Sequence, residues 1–270
     1  MIEYDGTRFA GYQRQAPERG PTVQGAIETA IGQVSHETLT VEAAGRTDAG
    51  VHAAGQVVSF RSAARLDART WARALNAHLP RDVAARAAAP VVEEFHARYS
   101  ARARSYRYQV VCDAAPAPLR ERFALRVARA LDVAAMGAAA ALLLGEHDFG
   151  AFGSSPRDER GAVRGHCVRT MLAARCQREV SGVPGGATSD GAGGDVVVFD
   201  FTANAFLTGM VRRLVGTLLL VGDGRLTVGG FAAILAARAK THPGAAVAAR
   251  GLCLVGVTYP AGMVNWEKSE

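Results

Sequence analysis

Two kinds of hydrophobic pattern alternate along this chain, and the same order of patterns returns in its second half. Apolar residues at helical spacing cover 22–34 and 132–144, which predicts two amphipathic helices. Apolar and polar residues alternate over 106–110, and strand-like runs cover 167–176 and 196–202. This interleaving predicts an α+β fold on a mostly antiparallel sheet, arranged as two similar halves.

The positive charge of the chain is carried almost entirely by arginine. The 270 residues have a net charge of +6, and lysine occurs only as Lys240 and Lys268. Because the guanidinium group is a planar fork that suits phosphate and stacks on bases, this balance favours a nucleic-acid partner. An Ala-, Gly- and Arg-rich composition is also expected from a GC-rich genome, so the charge alone leaves both interpretations open.

The sequence lacks the motifs that mark several classes of protein. The four cysteines form no C-x-x-C pair and the histidines show no H-x-x-x-H spacing, so we expect no metal. The glycine motifs of nucleotide-binding loops and the G-x-S-x-G motif of serine hydrolases are absent, so we expect no nucleotide cofactor. Since neither a membrane-spanning apolar run nor a secretory pattern is present, a cytoplasmic location is predicted.

The octet 45–52, Gly-Arg-Thr-Asp-Ala-Gly-Val-His, is the first candidate site. It lies between strand-like runs at 39–43 and 56–60, and a loop between strands is a common place to mount a catalytic group. Arg46 lies two residues from Asp48 and is expected to stabilise its ionised form. The alternative is a hairpin loop in which Asp48 caps its own turn and Arg46 is solvated.

Tyr106 and Arg212 are the other candidates. Arginines 102, 104 and 107 flank Tyr106, so its ring could stack on a base while guanidinium groups hold phosphates; the alternative is a tyrosine lining one face of a sheet. Arg212 interrupts an apolar helix pattern at 207–221. Since a charge among core residues is costly, it should reach a carboxylate such as Asp48 or a phosphate, or else lie on an exposed helix face.

These motifs together resemble the tRNA pseudouridine synthase A family, and the resemblance extends over nearly the whole chain. Besides the octet, it is carried by 2–6 with 11–15, by 22–24, by 95–98 with 106–108, by 145–149, and by 204–206 with 210–212.

The resemblance implies isomerisation of uridine to pseudouridine at positions 38, 39 and 40 of the tRNA anticodon stem-loop, without cofactor or metal. Asp48 matches the family's essential carboxylate, acting as a nucleophile or by removing a ribose proton to give a glycal. Arg46 would help hold the flipped-out nucleotide, Tyr106 would pack on the target uracil, and Arg212 would pair with Asp48. A non-catalytic tRNA-binding or chaperone module on the same fold is the alternative.

The family's fold is expected here as well. It has two similar α+β halves that form a continuous, mostly antiparallel sheet flanked by helices, with the active site in the cleft between the halves. We therefore expect an N-terminal half at 1–100 with the Asp loop and a C-terminal half at 101–270 with Tyr106 and Arg212. Family members are homodimers that bind one tRNA with both subunits. The Gly-rich insert 181–195, a departure from the family pattern, is predicted to be a flexible hairpin loop.

Overall fold

The computed structural model describes residues 1–154, 165–179, 195–237 and 244–268. The chain divides into two compact units: one comprises Met1–Arg104 and Cys253–Glu270, and the other comprises Ser105–Leu252. Residues from Cys253 onward thus pack with the first unit, whereas the halves 1–100 and 101–270 remain a prediction about domains.

The described strands and helices follow one another in the interleaved order that the sequence predicts. The strands are β1 Ile2–Tyr4, β2 Glu42–Ala43, β3 His52–Gln56, β4 Val58–Ser59, β5 Val83–Ala85, β6 Ala87–Ala88, β7 Ala103–Cys112, β8 Leu125–Val127, β9 Gly145–Asp148, β10 Val168–Glu179, β11 Asp195–Ala203, β12 Leu252–Thr258 and β13 Glu267–Lys268. The helices are α1 Val23–Ser35, α2 Ala68–His78, α3 Val133–Ala141, α4 Met210–Gly222 and α5 Val228–Ala236. The α+β class is confirmed.

The main sheet of the first unit has the order β5-β1-β3-β12. β1 is antiparallel to both β5 and β3. The last of these strands, β12, is parallel to β3, with Cys253 opposite His52, so the sheet is mixed. α1 and α2 pack against each other, and α1 turns Ile27 and Ile31 inward, where they are almost fully buried.

Helix starts in both units follow local side-chain chemistry. Thr22, Asp67 and Asp132 each precede a helix and accept a hydrogen bond from the backbone N–H three residues later, which satisfies one of the donors left open at a helix N-terminus. The helix predicted at 132–144 is nevertheless longer than the observed one, because α3 ends at Ala141 and β9 begins at Gly145.

In the second unit the strand order is β7-β11-β10-β9, and β8 pairs in parallel with β7. β10 and β11 form a long antiparallel pair that ends with Glu179 opposite Val196. The insert predicted at 181–195 connects these two strands and, apart from Asp195, lies outside the described residues. Phenylalanines fill the core, including Phe152 and Phe231, whose ring centroids are 5.8 Å apart.

The strands around the octet differ from the prediction. The run 39–43 forms a strand only at β2, and the run 56–60 is split at Val57 into the end of β3 and the short β4. Val57 breaks the ladder because its N–H donates to the side-chain oxygen of Gln56 and its carbonyl accepts from Ala44. β2 and β4 still pair antiparallel, but β3 belongs to the main sheet.

Within the described part of the chain, no helix is both long enough and apolar enough to cross a bilayer.

Candidate active site

The loop of residues 45–51, which we call the Asp48 loop, connects β2 to β3 in the first unit. Its side chains alternate between interior and surface: Arg46 is exposed, Thr47 is buried and Asp48 is half-buried. Thr47 is held from the interior, because its hydroxyl lies 2.8 Å from the hydroxyl of Tyr4 on β1. The Thr47 side chain therefore anchors the loop, and the half-buried Asp48 lies toward the surface.

Two further hydrogen bonds fix the backbone of the Asp48 loop. The side-chain amide of Gln56, which is 0% exposed, donates to the carbonyl of Gly45 at 2.7 Å. The backbone N–H of Tyr12 donates to the carbonyl of Thr47 at 3.0 Å. Because these groups are shielded from water, breaking one would leave a buried polar atom unsatisfied. The loop is thus held on both sides of Arg46.

Burial also keeps the Tyr4 hydroxyl in its neutral form. Desolvation raises the pKa of Tyr4 to about 12, against the smaller opposing effect of its hydrogen bonds to Thr47 and Gln56. Tyr4 therefore remains a hydrogen-bonding phenol, with no charge beneath the Asp48 loop, over the whole pH range in which enzymes work.

The neighbouring segment approaches the Asp48 loop very closely at Gly6. A Cβ on Gly6 would lie 2.0 Å from the carbonyl oxygen of Val51. The Gly6 N–H also donates to Nδ1 of His52 at 3.0 Å. Gly50 has a φ of +75°, a conformation in which glycine has no steric cost. Glycine is thus required at Gly6 by space and is favoured at Gly50 by backbone angle.

We predict that the Tyr4–Thr47 hydrogen bond is a measurable part of the stability of the first unit. Thr47→Val keeps the side-chain shape but removes the hydroxyl, and should lower the free energy of unfolding by about 1–2 kcal/mol. The check is a double-mutant cycle with Tyr4→Phe in urea unfolding. Additive losses in the double variant would show that the two hydroxyls do not interact.

Tyr106 lies on β7 in the second unit and is only 8% exposed. The ring of Phe206 meets it edge-on, with centroids 5.1 Å apart and planes at 84°. Along β7, residues 106, 108 and 110 are buried while 107 and 109 are half-buried, as the alternation predicted. Phe206 sets the plane of the Tyr106 ring and leaves little of it accessible.

The arginines next to Tyr106 have structural partners, which argues against the hypothesis that they hold phosphates. Arg107 makes a two-pronged ion pair with Asp200, at 2.8 and 2.9 Å, and a third contact with Glu179 at 3.2 Å. Arg104 is buried, and it donates to backbone carbonyls. The positive charges of Arg104 and Arg107 are therefore used in contacts within the protein.

Arg212 is half-buried on α4, and its orientation is set by a segment far along the chain. Its Nε donates to the carbonyl of Val247 at 2.7 Å, and the Val247 N–H donates to the Arg212 carbonyl at 3.3 Å. The segment 245–247 approaches α4 closely at Gly216, where a Cβ would lie 2.1 Å from the carbonyl oxygen of Ala245. The predicted pairing of Arg212 with Asp48 stays a prediction.

Tyr99 is a candidate residue that the sequence patterns did not single out. It lies in the first unit and is 76% exposed, which is unusual for a large aromatic side chain. The Arg98 guanidinium carbon lies 5.6 Å from its ring centroid, and the ring of His96 is 4.4 Å away. The sequence signal that could have found it is the run His96-Ala97-Arg98-Tyr99, in which an aromatic residue directly follows an arginine.

Comparison with known proteins identifies the family of this chain. The model of the tRNA pseudouridine synthase family matches residues 1–100 and 139–260. The chain belongs to this family. Members of the tRNA pseudouridine synthase family are isomerases that act on tRNA uridine. The match covers the Asp48 loop, Tyr99 and Arg212, whereas Tyr106 lies between its two matched parts.

Relatives within the synthase family match this chain over nearly its whole length. A tRNA pseudouridine synthase A of Chloroflexus aurantiacus is 44% identical over 273 residues, covering 98% of this chain and 90% of the relative. The protein of the same name from Roseiflexus castenholzii is 45% identical over 260 residues, covering 96% and 89%. That from Moorella thermoacetica is 41% identical over 258 residues, covering 96% and 97%.

Proposed function

We propose that this chain converts uridine to pseudouridine at positions 38, 39 and 40 of the tRNA anticodon stem-loop, with Asp48 as the essential carboxylate. The observation that carries the proposal is the mounting of Asp48. Asp48 is half-buried, and the loop that precedes it is fixed by hydrogen bonds to the carbonyls of Gly45 and Thr47 and to the Thr47 hydroxyl. A carboxylate held in this way can meet a ribose in one defined geometry.

The reaction rearranges the atoms of one nucleotide. The bond between N1 of uracil and C1′ of ribose breaks, the uracil turns, and C5 bonds to C1′. The C5 proton leaves and N1 gains a proton, so substrate and product have the same composition. In one route the Asp48 carboxylate attacks C1′ and is later displaced by C5. In the other it removes the C2′ proton to give a glycal and later returns it.

The other site residues are proposed to bind the substrate. Arg46 is exposed and lies two residues before Asp48, which supports a role in holding a phosphate or a nucleotide flipped out of its stack. The Tyr106 ring, oriented by Phe206, would pack on the uracil while it turns. Arg212, oriented by Val247, would pair with the Asp48 carboxylate.

We also propose a cytoplasmic homodimer that binds one tRNA with both subunits. The arginine-borne net charge of +6 supports a partner rich in phosphate. Light scattering of the protein alone, and then with one equivalent of tRNA, should give the mass of two chains and of two chains plus one tRNA. A mass of one chain in both samples would contradict the dimer.

The proposed function is tested on an unmodified tRNA transcript with uridine at positions 38, 39 and 40. Since uridine and pseudouridine have equal mass, pseudouridine is labelled with a carbodiimide before mass spectrometry. Label at these positions, and none in a transcript with cytidine there, is the expected result. Tight binding of the transcript without any label would replace the enzyme with the non-catalytic tRNA-binding module.

We predict that Tyr99 contributes to tRNA affinity by stacking. Stacking of a base on an aromatic side chain contributes about 1–3 kcal/mol, so Tyr99→Ala should raise the Kd for tRNA about 10-fold, whereas Tyr99→Trp should leave it near the wild-type value. Filter binding at one fixed salt concentration measures both. Leu119→Ala is the control, because Leu119 is 77% exposed and aliphatic. Equal Kd values for Tyr99→Ala and this control would remove Tyr99 from the interface.

A further inference from the structure

Arg104 is a buried charge that the proposed chemistry does not use. It lies at the start of β7 and is 9% exposed. Burying a guanidinium group is costly unless its donors are satisfied. It is therefore kept in the interior by contacts that compensate this cost, and the position of those contacts indicates what the residue does.

The guanidinium of Arg104 donates to carbonyls from two separate stretches of the first unit. Nε and Nη2 donate to the carbonyl of Ala44, at 3.2 and 3.0 Å. Nη2 also donates to the carbonyl of Arg98, and Nη1 to that of Ala101 at 3.3 Å. Ala44 is the residue just before the Asp48 loop, and Arg98 is the residue just before Tyr99. One side chain thus connects the stretch that carries the carboxylate to the stretch that carries the exposed aromatic ring.

Both stretches are also held from their other sides, so the connection is rigid. The Ala44 N–H donates to the carbonyl of Val57 at 2.9 Å. The Ala97 N–H donates to Ser59 Oγ at 3.1 Å, and the Ala97 carbonyl accepts from the Tyr259 hydroxyl at 2.7 Å. A shift of the Arg104 guanidinium would therefore be transmitted to the Asp48 loop and to residues 98–101.

The contact pattern requires arginine. Three carbonyls are reached from three nitrogens of one planar group, a geometry that five fixed N–H donors can satisfy. A lysine carries the same charge but offers its donors from a single atom. Replacement by lysine should leave at least one of these carbonyls without its partner.

We propose that Arg104 is a positioning residue that sets the spacing between the Asp48 loop and the Arg98–Tyr99 segment. It touches neither nucleotide nor reacting atoms; it acts through Ala44 on the loop and through Arg98 and Ala101 on the segment. This inference rests on the proposed function. Its consequence is that loss of Arg104 slows the chemical step far more than it weakens tRNA binding.

The test compares Arg104→Lys and Arg104→Ala with wild type in single-turnover pseudouridine formation and in tRNA binding. Assays are run below the unfolding transition of each variant, as followed by circular dichroism. The single-turnover rate should fall about 100-fold in both variants, the loss expected from a catalytic group displaced by about 1 Å, while the Kd for tRNA should change less than about 3-fold. Millimolar guanidinium should partly restore the rate of Arg104→Ala, since it can reoccupy the space between the carbonyls.

Two further measurements separate positioning from general stability. Amide exchange in the Arg104→Lys variant should accelerate in residues 44–51 and 98–101 and stay unchanged in α1. Arg61→Ala is the control for loss of one positive charge, because Arg61 and Glu93 form an exposed pair of little energetic weight, and its rate should match wild type.

The inference is overturned if both Arg104 variants turn over at the wild-type rate, or if their rate falls only in proportion to the unfolded fraction. A loss confined to Kd would make Arg104 a binding residue and overturn the inference as well. These outcomes are distinct from failure of the proposed function, which would show as no pseudouridine formed by wild type.

Discussion

Asp48→Ala should lower the rate of pseudouridine formation by at least about 10⁴-fold, an effect in the range seen when the nucleophile of an enzyme is removed. The Kd for tRNA should stay within about 3-fold of wild type, because affinity for a folded RNA rests mainly on phosphate contacts. Carbodiimide labelling under single-turnover conditions measures the rate, and filter binding measures the Kd. Asp48→Asn should behave like the alanine variant, since it keeps the shape of the side chain but can neither attack C1′ nor take a proton.

The matched control for Asp48 is Glu93→Gln. Glu93 is an exposed carboxylate of the same unit, paired with Arg61 on the surface, and its loss changes the net charge by the same amount. It should leave both rate and Kd at wild-type values. Full activity in Asp48→Asn would exclude both the nucleophilic and the glycal route through this carboxylate, and would leave the reaction without its proposed catalytic residue.

Gly6→Ala should lower the free energy of unfolding by about 3 kcal/mol, the upper range for adding one methyl group to a filled interior. The added Cβ would lie 2.0 Å from the Val51 carbonyl oxygen, and because that neighbour is backbone it cannot rotate away. Relief requires movement of the end of the Asp48 loop, so the rate of pseudouridine formation in the folded variant should fall as well. Urea unfolding and single-turnover labelling measure the two effects.

Gly256→Ala is the control for this substitution. Gly256 lies on β12 in the same unit, and a Cβ there would have no neighbour within 4 Å. Its stability should stay within about 0.5 kcal/mol of wild type, as for surface substitutions in general. If Gly6→Ala is as stable and active as Gly256→Ala, the close approach at Val51 does not exist in solution.

The features that the sequence predicted well are those whose causes are local. Thr22 and Asp132 start helices because each side chain reaches an N–H only three residues away. The alternation on β7 places Tyr106 inward because successive side chains of a strand point to opposite faces. The octet resembles a family signature as a continuous string, so Arg46 and Asp48 can be proposed as site residues from the sequence alone, and their roles stay predictions.

The features that the sequence did not predict depend on partners distant in the chain. Arg107 pairs with Asp200, 93 residues away, so the residues next to Arg107 in the sequence do not indicate this ion pair. Arg104 gave the same difficulty, because its acceptors are backbone carbonyls, which every residue has. The orientation of Arg212 by Val247, 35 residues away, and the break of the strand run at Val57 likewise arise from tertiary contacts.

The parallel pairing of β12 with β3 has a consequence for how the protein is made. β3 follows the Asp48 loop directly, and its neighbour in the sheet begins about 200 residues later. At ribosomal rates of about 5–20 residues per second, β3 waits roughly 10–40 s for that partner. During this interval the edge of β3 is open to other nascent chains. Folding of the unit that carries Asp48 should therefore be the slowest step in making the protein. This unit should also depend most on chaperones, although most of its residues leave the ribosome first.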